Sequence, residues 1–132
     1  MEIKNINTTI EQLGVETVIY SLPATITNTD GTTTIPKGIV KNIFVINNTE
    51  DNLRLDFSII LHATNDTNRR EIALFKALPL SADDTILLTD GTELFLQPDT
   101  QLVLKVYKEE TITSTTTDTT TNVSVLVQVV EI

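Results

Sequence analysis

The sequence contains no cysteine and no tryptophan, and aromatic residues make up only 5% of its 132 positions. Without cysteine, a disulfide framework, a thiolate zinc site and a cysteine nucleophile are all excluded. With so few aromatic rings, a core must consist mainly of isoleucine, leucine and valine. Because these side chains fit the pleated, half-buried surface of a β-sheet, we expect a β-rich protein that folds on packing alone.

Basic residues are also scarce, with nine lysines and arginines against 18 acidic residues and a net charge of −9. This charge repels a phosphate backbone and an anionic membrane surface, so we expect no nucleic-acid or membrane partner. No apolar run approaches the roughly 20 residues that a membrane span needs. The first residues, Met1–Ile6, lack the basic and apolar regions of a secretion signal, which predicts a protein made in the cytoplasm.

Alternation of apolar and polar residues predicts strands with one buried face. The pattern is clearest over residues 53–61, 101–107 and 123–130. The other face of 123–130 is also partly apolar, which predicts a central strand or one packed against a partner. We expect the last two of these strands to pair as a hairpin. The residues assigned to the buried faces are Leu53, Leu55, Phe57, Ile59, Leu61, Leu102, Leu104, Val106, Val123, Val125, Val127 and Val129.

Seven or eight short strands separated by turns predict an all-β fold, an antiparallel β-sandwich or jelly roll. The further strand segments are residues 15–22, 39–46, 71–78 and 92–96. Asp30-Gly31 and Asp90-Gly91 predict tight turns, because glycine tolerates positive φ. Other reversals are expected at Pro36-Lys37-Gly38, Leu78-Pro79-Leu80-Ser81 and Gln97-Pro98-Asp99.

The two least regular segments lie outside this strand pattern. We predict a β-sandwich domain over residues 14–132, preceded by an N-terminal arm or short helix over 1–13, where Thr8 or Thr9 could cap a helical turn. Residues 111–121 are almost all threonine and serine, too polar for a core and too β-branched for a helix. We interpret them as the tip of a long hairpin, or as a ribbon ordered against a neighbouring subunit.

Several segments together resemble a known family. Val18–Pro23 is a tyrosine strand ending in proline, Ile35–Asn47 is a proline turn leading into an apolar strand ending in asparagine, and a valine-rich strand closes on Glu131-Ile132. With residues 53–61, 78–86 and 93–104 between them, this order resembles small bacteriophage virion proteins of heads, tails and fibres. The chain departs from the family at Pro98-Asp99, where a glycine-aspartate turn is usual, and in the length of its threonine tract.

Residue types that could carry catalysis or bind metal do not form a recognisable motif. His62 is the only histidine, and we interpret it as an exposed or interface residue because a triad would need an orienting partner. The loop aspartates lack the spacing of an EF-hand, and Arg69-Arg70 fits a salt bridge or an interface contact. The carboxylate pairs fall in predicted turns or strand ends, where acids are solvated, at Glu50-Asp51, Asp83-Asp84 and Glu109-Glu110. We therefore predict no catalytic, cofactor or metal site.

The resemblance implies a non-enzymatic virion protein acting in head decoration, head-tail joining or the tail. We expect it in the virion, as a homo-oligomer such as a trimer or docked with other virion proteins on a capsid or tail. Met1–Leu13 and Thr111–Thr121 are predicted contact segments, whose deletion should leave the domain folded. The alternative is a module that binds host glycans or a receptor. That reading needs exposed aromatic faces, whereas we expect most of the four phenylalanines to be buried.

Overall fold

The computed structural model describes residues 2–89, 91–109 and 119–132, and these residues form an all-β structure. The described residues contain no helix that could span a membrane. The eleven strands are β1 (Glu2–Gln12), β2 (Glu16–Leu22), β3 (Ile26–Thr27), β4 (Thr33–Thr34), β5 (Gly38–Asn47), β6 (Leu53–Leu61), β7 (Arg70–Leu80), β8 (Thr85–Leu87), β9 (Leu94–Leu96), β10 (Thr100–Lys108) and β11 (Thr120–Glu131).

The strands form two antiparallel sheets and a small β3–β4 ribbon. A five-stranded sheet has the order β1-β11-β5-β8, with β9 also paired to β5, and a four-stranded sheet has the order β2-β10-β6-β7. Most consecutive strands, such as β1 and β2 or β5 and β6, lie in different sheets. This alternation is the connectivity of a jelly roll, so the predicted sandwich or jelly roll is confirmed.

The core lies between the two sheets and is built mainly from aliphatic side chains. All four valines predicted for the inner face of β11 are buried, and so are the predicted inner residues of β10. In β6, the predicted inner residues Leu53, Leu55 and Phe57 are buried, whereas Ile59 and Leu61 are half-buried. The period-two pattern therefore predicted most of the inner-face residues of the central strands correctly.

The prediction that the last two strands form a hairpin is wrong. β11 pairs with β1 on one side and β5 on the other, while β10 pairs with β2 and β6 in the opposite sheet. Both strands thus have two paired edges, and no edge is left for them to share. Of the predicted threonine-rich tip, residues 111–118 lie outside the described residues, and Thr120 and Thr121 begin β11.

The predicted short helix near the N-terminus is also wrong, because Glu2–Gln12 forms strand β1. This strand pairs with β11 from Glu2 to Ile10 without a break in register. Ile10 is buried in the core and Ile6 packs against it. The alternation that places Lys4, Ile6, Thr8 and Ile10 on the inner side is a strand pattern, and it prevails over the capping signal.

β7 extends beyond its predicted end at residue 78 and includes Pro79. Proline is tolerated there because β7 is the edge strand of its sheet, where one side of the backbone needs no donor. The pairing of β6 with β7 shifts register on either side of Phe57, and Ala77 adopts a left-handed φ of 53°. Gly31 has φ 86°, as the predicted turn requires, and Asp90 of the second predicted turn lies outside the described residues.

Candidate assembly surface

The residues that the sequence singled out for chemistry lie apart from one another. His62 is exposed just after β6, with a left-handed φ of 53°. Asp83 and Asp84 are exposed in the turn before β8, and Asp99 accepts hydrogen bonds from Thr64 in another loop. Within the described part of the chain, no three acidic or histidine side chains are grouped as a metal site would require.

Two of the carboxylate pairs are tied to basic side chains at strand ends. Glu109 forms an ion pair with Arg54 at 2.6 Å, and Asp51 lies 3.8 Å from Lys108. Glu110, the neighbour of Glu109, lies outside the described residues. These contacts are exposed, and ion pairs of that kind contribute about 0–1 kcal/mol. They therefore add little to the stability of the fold.

The outer surface of the five-stranded sheet carries side chains in rows that cross the strands. Residues that pair across antiparallel strands point to the same face of a sheet, so the register defines the rows. We use the name uncharged face for three rows together: a first apolar row of Ile3, Val130, Ile39 and Phe95, an amide row of Asn5, Gln128 and Asn42, and a second apolar row of Leu126, Phe44 and Leu87, which Asn7 continues on β1.

The apolar rows of the uncharged face are open to solvent. Phe95 and Ile3 expose 73% and 61% of their surface, and Leu126, Phe44 and Leu87 expose 37% each. Single exposed apolar side chains are common on proteins. Contiguous ones that follow a row pattern are typical of surfaces that bind another protein.

The amide row separates the two apolar rows. Asn42 Nδ2 donates a hydrogen bond of 2.9 Å to Gln128 Oε1. Shallow depressions of about 400 Å³ and 310 Å³ flank this pair, one toward each apolar row. Lys41 and Glu93 line the first depression, between the two rows, and form an ion pair with each other, so the charge within this depression is neutralised locally.

The outer surface of the four-stranded sheet, which we call the charged face, has the opposite chemistry. Its depression of about 320 Å³ is lined by acidic and basic side chains around a floor of small residues. A hydrogen bond with Glu71, then burial and the charge of Glu71, raise the pKa of Glu16. The charged residues of this depression are Glu16, Asp56, Glu71, Lys76 and Lys105.

Asp56 holds the strained backbone of β7 in place. Its Oδ1 accepts hydrogen bonds from the Ala77 amide at 2.8 Å and from the Tyr107 hydroxyl at 2.9 Å, while Arg54 donates to the Ala77 carbonyl at 2.8 Å. Burial alone raises the pKa of Asp56, but these hydrogen bonds outweigh it and the net pKa lies below the ordinary value. Tyr107 is therefore engaged within the protein.

The expectation that most phenylalanines are buried is wrong. Phe57 is 1% exposed, but Phe95, Phe44 and Phe75 expose 73%, 37% and 37%. Phe75 stacks on Phe57 with ring centroids 6.3 Å apart, at an open apolar notch of about 400 Å³ beside the free edge of β7. The exposure of these phenylalanines could not be predicted from the sequence, because it depends on which face of each sheet is covered.

Comparison with known proteins shows the fold but no family. No family model and no curated protein sequence matches this chain. Among solved structures, the T13 viral particle of infectious bursal disease virus matches with a TM-score of 0.61 and 13% identity, over 99% of this chain and 31% of that one. The Gt strain of the same virus matches with a TM-score of 0.57 and 12% identity, over 99% of this chain and 33% of that one.

A mutant VP2 protein of infectious bursal disease virus, in derived T=1 particles, is similar to the same degree. It matches with a TM-score of 0.57 and 13% identity, over 99% of this chain and 31% of that one. This chain thus spans about a third of the length of the matched chains. At such low identity the likeness shows a shared fold and nothing more.

Proposed function

We propose that this protein is a structural subunit of a virus particle, of the bacteriophage virion class that its strand order resembles, and that it acts through association of subunits. The observation that carries the proposal is the uncharged face. The fold shared with chains of virus particles supports it. Catalysis has no part in this proposal: among the carboxylates of the charged face, Glu16 is hydrogen-bonded to Glu71, and Asp56 to Ala77 and Tyr107.

The charge of the chain explains why an uncharged face matters for association. Copies that each carry −9 repel one another, and the core of a protein interface is depleted of charged residues. A contact between copies is therefore most favourable where the surface is apolar and neutral. Burial of apolar surface contributes about 25 cal/mol per Å², and a stable interface buries roughly 1,600 Å² in total.

The N-terminal segment has a contact role in this proposal, but as a strand and not as an arm. Ile3, Asn5 and Asn7 of β1 belong to the uncharged face, while Ile10 of the same strand lies in the core. Residues 1–13 therefore cannot be removed without opening the sheet. The proposed contact role of the threonine tract falls on residues outside those described.

The experiment measures native mass by light scattering, together with electron microscopy of concentrated protein. We expect the wild type to exceed the 14.6 kDa monomer mass and Phe44→Lys to return it to the monomer, because lysine places a charge inside the contact. Val18→Lys is the matched control, since Val18 is 46% exposed and pairs with Val103 on the charged face. Equal loss in both variants, or a wild type that stays monomeric at every concentration, would contradict the proposal.

Glycan binding is a second candidate, and one observation favours it. Phe95 is 73% exposed, and an exposed aromatic ring is a common platform for sugars. Tyr107 is less suited to this role, because it donates its hydroxyl to Asp56. A glycan-array signal lost in Phe95→Ala and retained in Tyr107→Phe would favour this candidate over subunit association.

A further inference from the structure

We infer that the uncharged face binds the same face of a second copy of this chain, around a two-fold axis that passes the amide row at Gln128 and Asn42. The inference rests on the proposed function, and it names the partner and the symmetry of the contact. A two-fold interface uses one patch on both subunits, so that patch must be complementary to itself. The row pattern meets this condition.

The order of rows is symmetric about the amide row. The first apolar row lies on one side of it and the second apolar row on the other. A two-fold axis along the amide row places each apolar row against the other type, and an axis along the strands places each row against its own copy. In both arrangements apolar side chains meet apolar side chains, and amides meet amides. The row pattern is therefore complementary to itself about either axis.

Amides are suited to the centre of such a contact. An amide side chain both donates and accepts hydrogen bonds, so a row of amides can bond to its own copy, whereas a row of carboxylates or ammonium groups cannot. The bond from Asn42 Nδ2 to Gln128 Oε1 uses one polar atom of each side chain and leaves the Gln128 amide nitrogen and the Asn42 carbonyl oxygen for other partners. Contacts among the described residues give neither atom another partner. Both can bond across the interface.

A second copy is also the occupant that the charge pattern favours. Two chains of charge −9 can approach closely only where neither presents a net charge. The uncharged face meets this requirement on both partners at once, since the two charges that line its first depression, Lys41 and Glu93, pair with each other. A basic partner would instead be drawn to the acidic groups of the charged face.

A charge exchange at the axis tests the inference. Gln128→Lys and Gln128→Glu are each purified and their native mass is measured alone and as an equimolar mixture. Alone, each variant sets like charges against each other across the axis, and we expect its association constant to fall by about a thousandfold. In the mixture Lys faces Glu, so association is restored. Gln101→Lys and Gln101→Glu are the control, because Gln101 is a half-buried glutamine on the outer surface of β10.

The outcomes separate the inference from the proposed function. Restored mass in the Gln128 mixture, with no effect at Gln101, supports the two-fold contact. Loss in each variant without recovery in the mixture means that Gln128 faces a different residue, which overturns the two-fold contact and keeps subunit association. A wild-type trimer would likewise overturn the two-fold contact and keep subunit association. A wild type that is always monomeric overturns both. If circular dichroism shows that the Gln128 variants do not fold, Asn42→Lys and Asn42→Glu repeat the test at the same axis.

Discussion

One tyrosine joins the two sheets at the end of the sandwich. Tyr20 in β2 donates a hydrogen bond of 2.6 Å to Glu131 in β11, and Glu131 also pairs with Lys4 in β1 at 2.8 Å. Burial is the main cause that raises the pKa of Tyr20, and the hydrogen bond to Glu131 raises it further. Burial alone raises the pKa of Glu131 as well, but the hydrogen bonds from Lys4 and Tyr20 outweigh it, so the net pKa is lowered.

This cluster predicts a loss of stability in acid. Because folding lowers the pKa of Glu131, its contribution is complete above the ordinary value of 4.5 and is lost as the pH falls through the folded-state pKa. Thermal unfolding of the wild type between about pH 6 and about pH 3 should therefore show a larger decrease in stability than that of Glu131→Gln. Equal acid sensitivity in the two proteins would mean that other carboxylates, such as Asp56, account for the effect.

The hydroxyl of Tyr20 can be removed without changing the volume of the side chain. We expect Tyr20→Phe to reduce the free energy of unfolding by about 1–2 kcal/mol, since a partly buried hydrogen bond to a charged group is lost. Tyr107→Phe is the matched control, because its hydroxyl also bonds a carboxylate but lies nearer the solvent. Its effect in the same urea titration should be smaller.

At the scale of the element, β1 has two different faces. Ile10 points into the core and is 2% exposed, whereas Ile3 lies on the uncharged face and is 61% exposed. We expect Ile10→Ala to lower the free energy of unfolding by about 2–5 kcal/mol, as large-to-small changes in a core do. Ile3→Ala should change it by no more than about 0.5 kcal/mol at concentrations where the protein is monomeric.

Both variants of β1 are measured by urea denaturation and by light scattering. Ile3→Ala should weaken association while leaving the fold intact, and Ile10→Ala should do the reverse. Two variants with equal stability would show that β1 is a dispensable arm, which is how the sequence alone presented it.

The period of the hydrophobic pattern explains what could be predicted from the sequence. Central strands such as β6, β10 and β11 are long and carry apolar residues at every second position, so most of their inner-face residues were predicted correctly. β1 was missed because its apolar residues are separated by asparagine and threonine, and β8 because it is only three residues long. The wrong hairpin has a different origin, since closeness in sequence does not decide which sheet a strand joins.

The uncharged face was predictable only in part, because one sequence does not show which strands pair. The sequence indicated that the second face of the last strand is partly apolar, which is the surface of Leu126 and Val130. The rows themselves depend on pairing between β1, β11, β5 and the β8–β9 edge, and these strands are far apart in sequence. A single sequence contains the residues of the uncharged face but not the register that aligns them.

Across the whole molecule, the two sheets present opposite chemistry to the surroundings. The charged face carries the exposed Glu16 and Glu71 and the half-buried Asp56, while the uncharged face carries amides and apolar side chains. The two outer surfaces of the sandwich therefore differ in the partners they favour. In a particle, the uncharged face would be buried against another copy, and the charged face would remain in solvent, where net charge keeps particles apart.

The same asymmetry predicts how association depends on salt. If copies meet through the uncharged face, the remaining electrostatic effect is repulsion between chains of charge −9. Raising sodium chloride from about 0.1 M to about 1 M shortens the Debye length from about 10 Å to about 3 Å and screens that repulsion. Light scattering at fixed protein concentration should therefore show a higher mean mass at high salt. An assembly that dissociates as salt is added would instead be held by ion pairs, and its contact would have to involve the charged face.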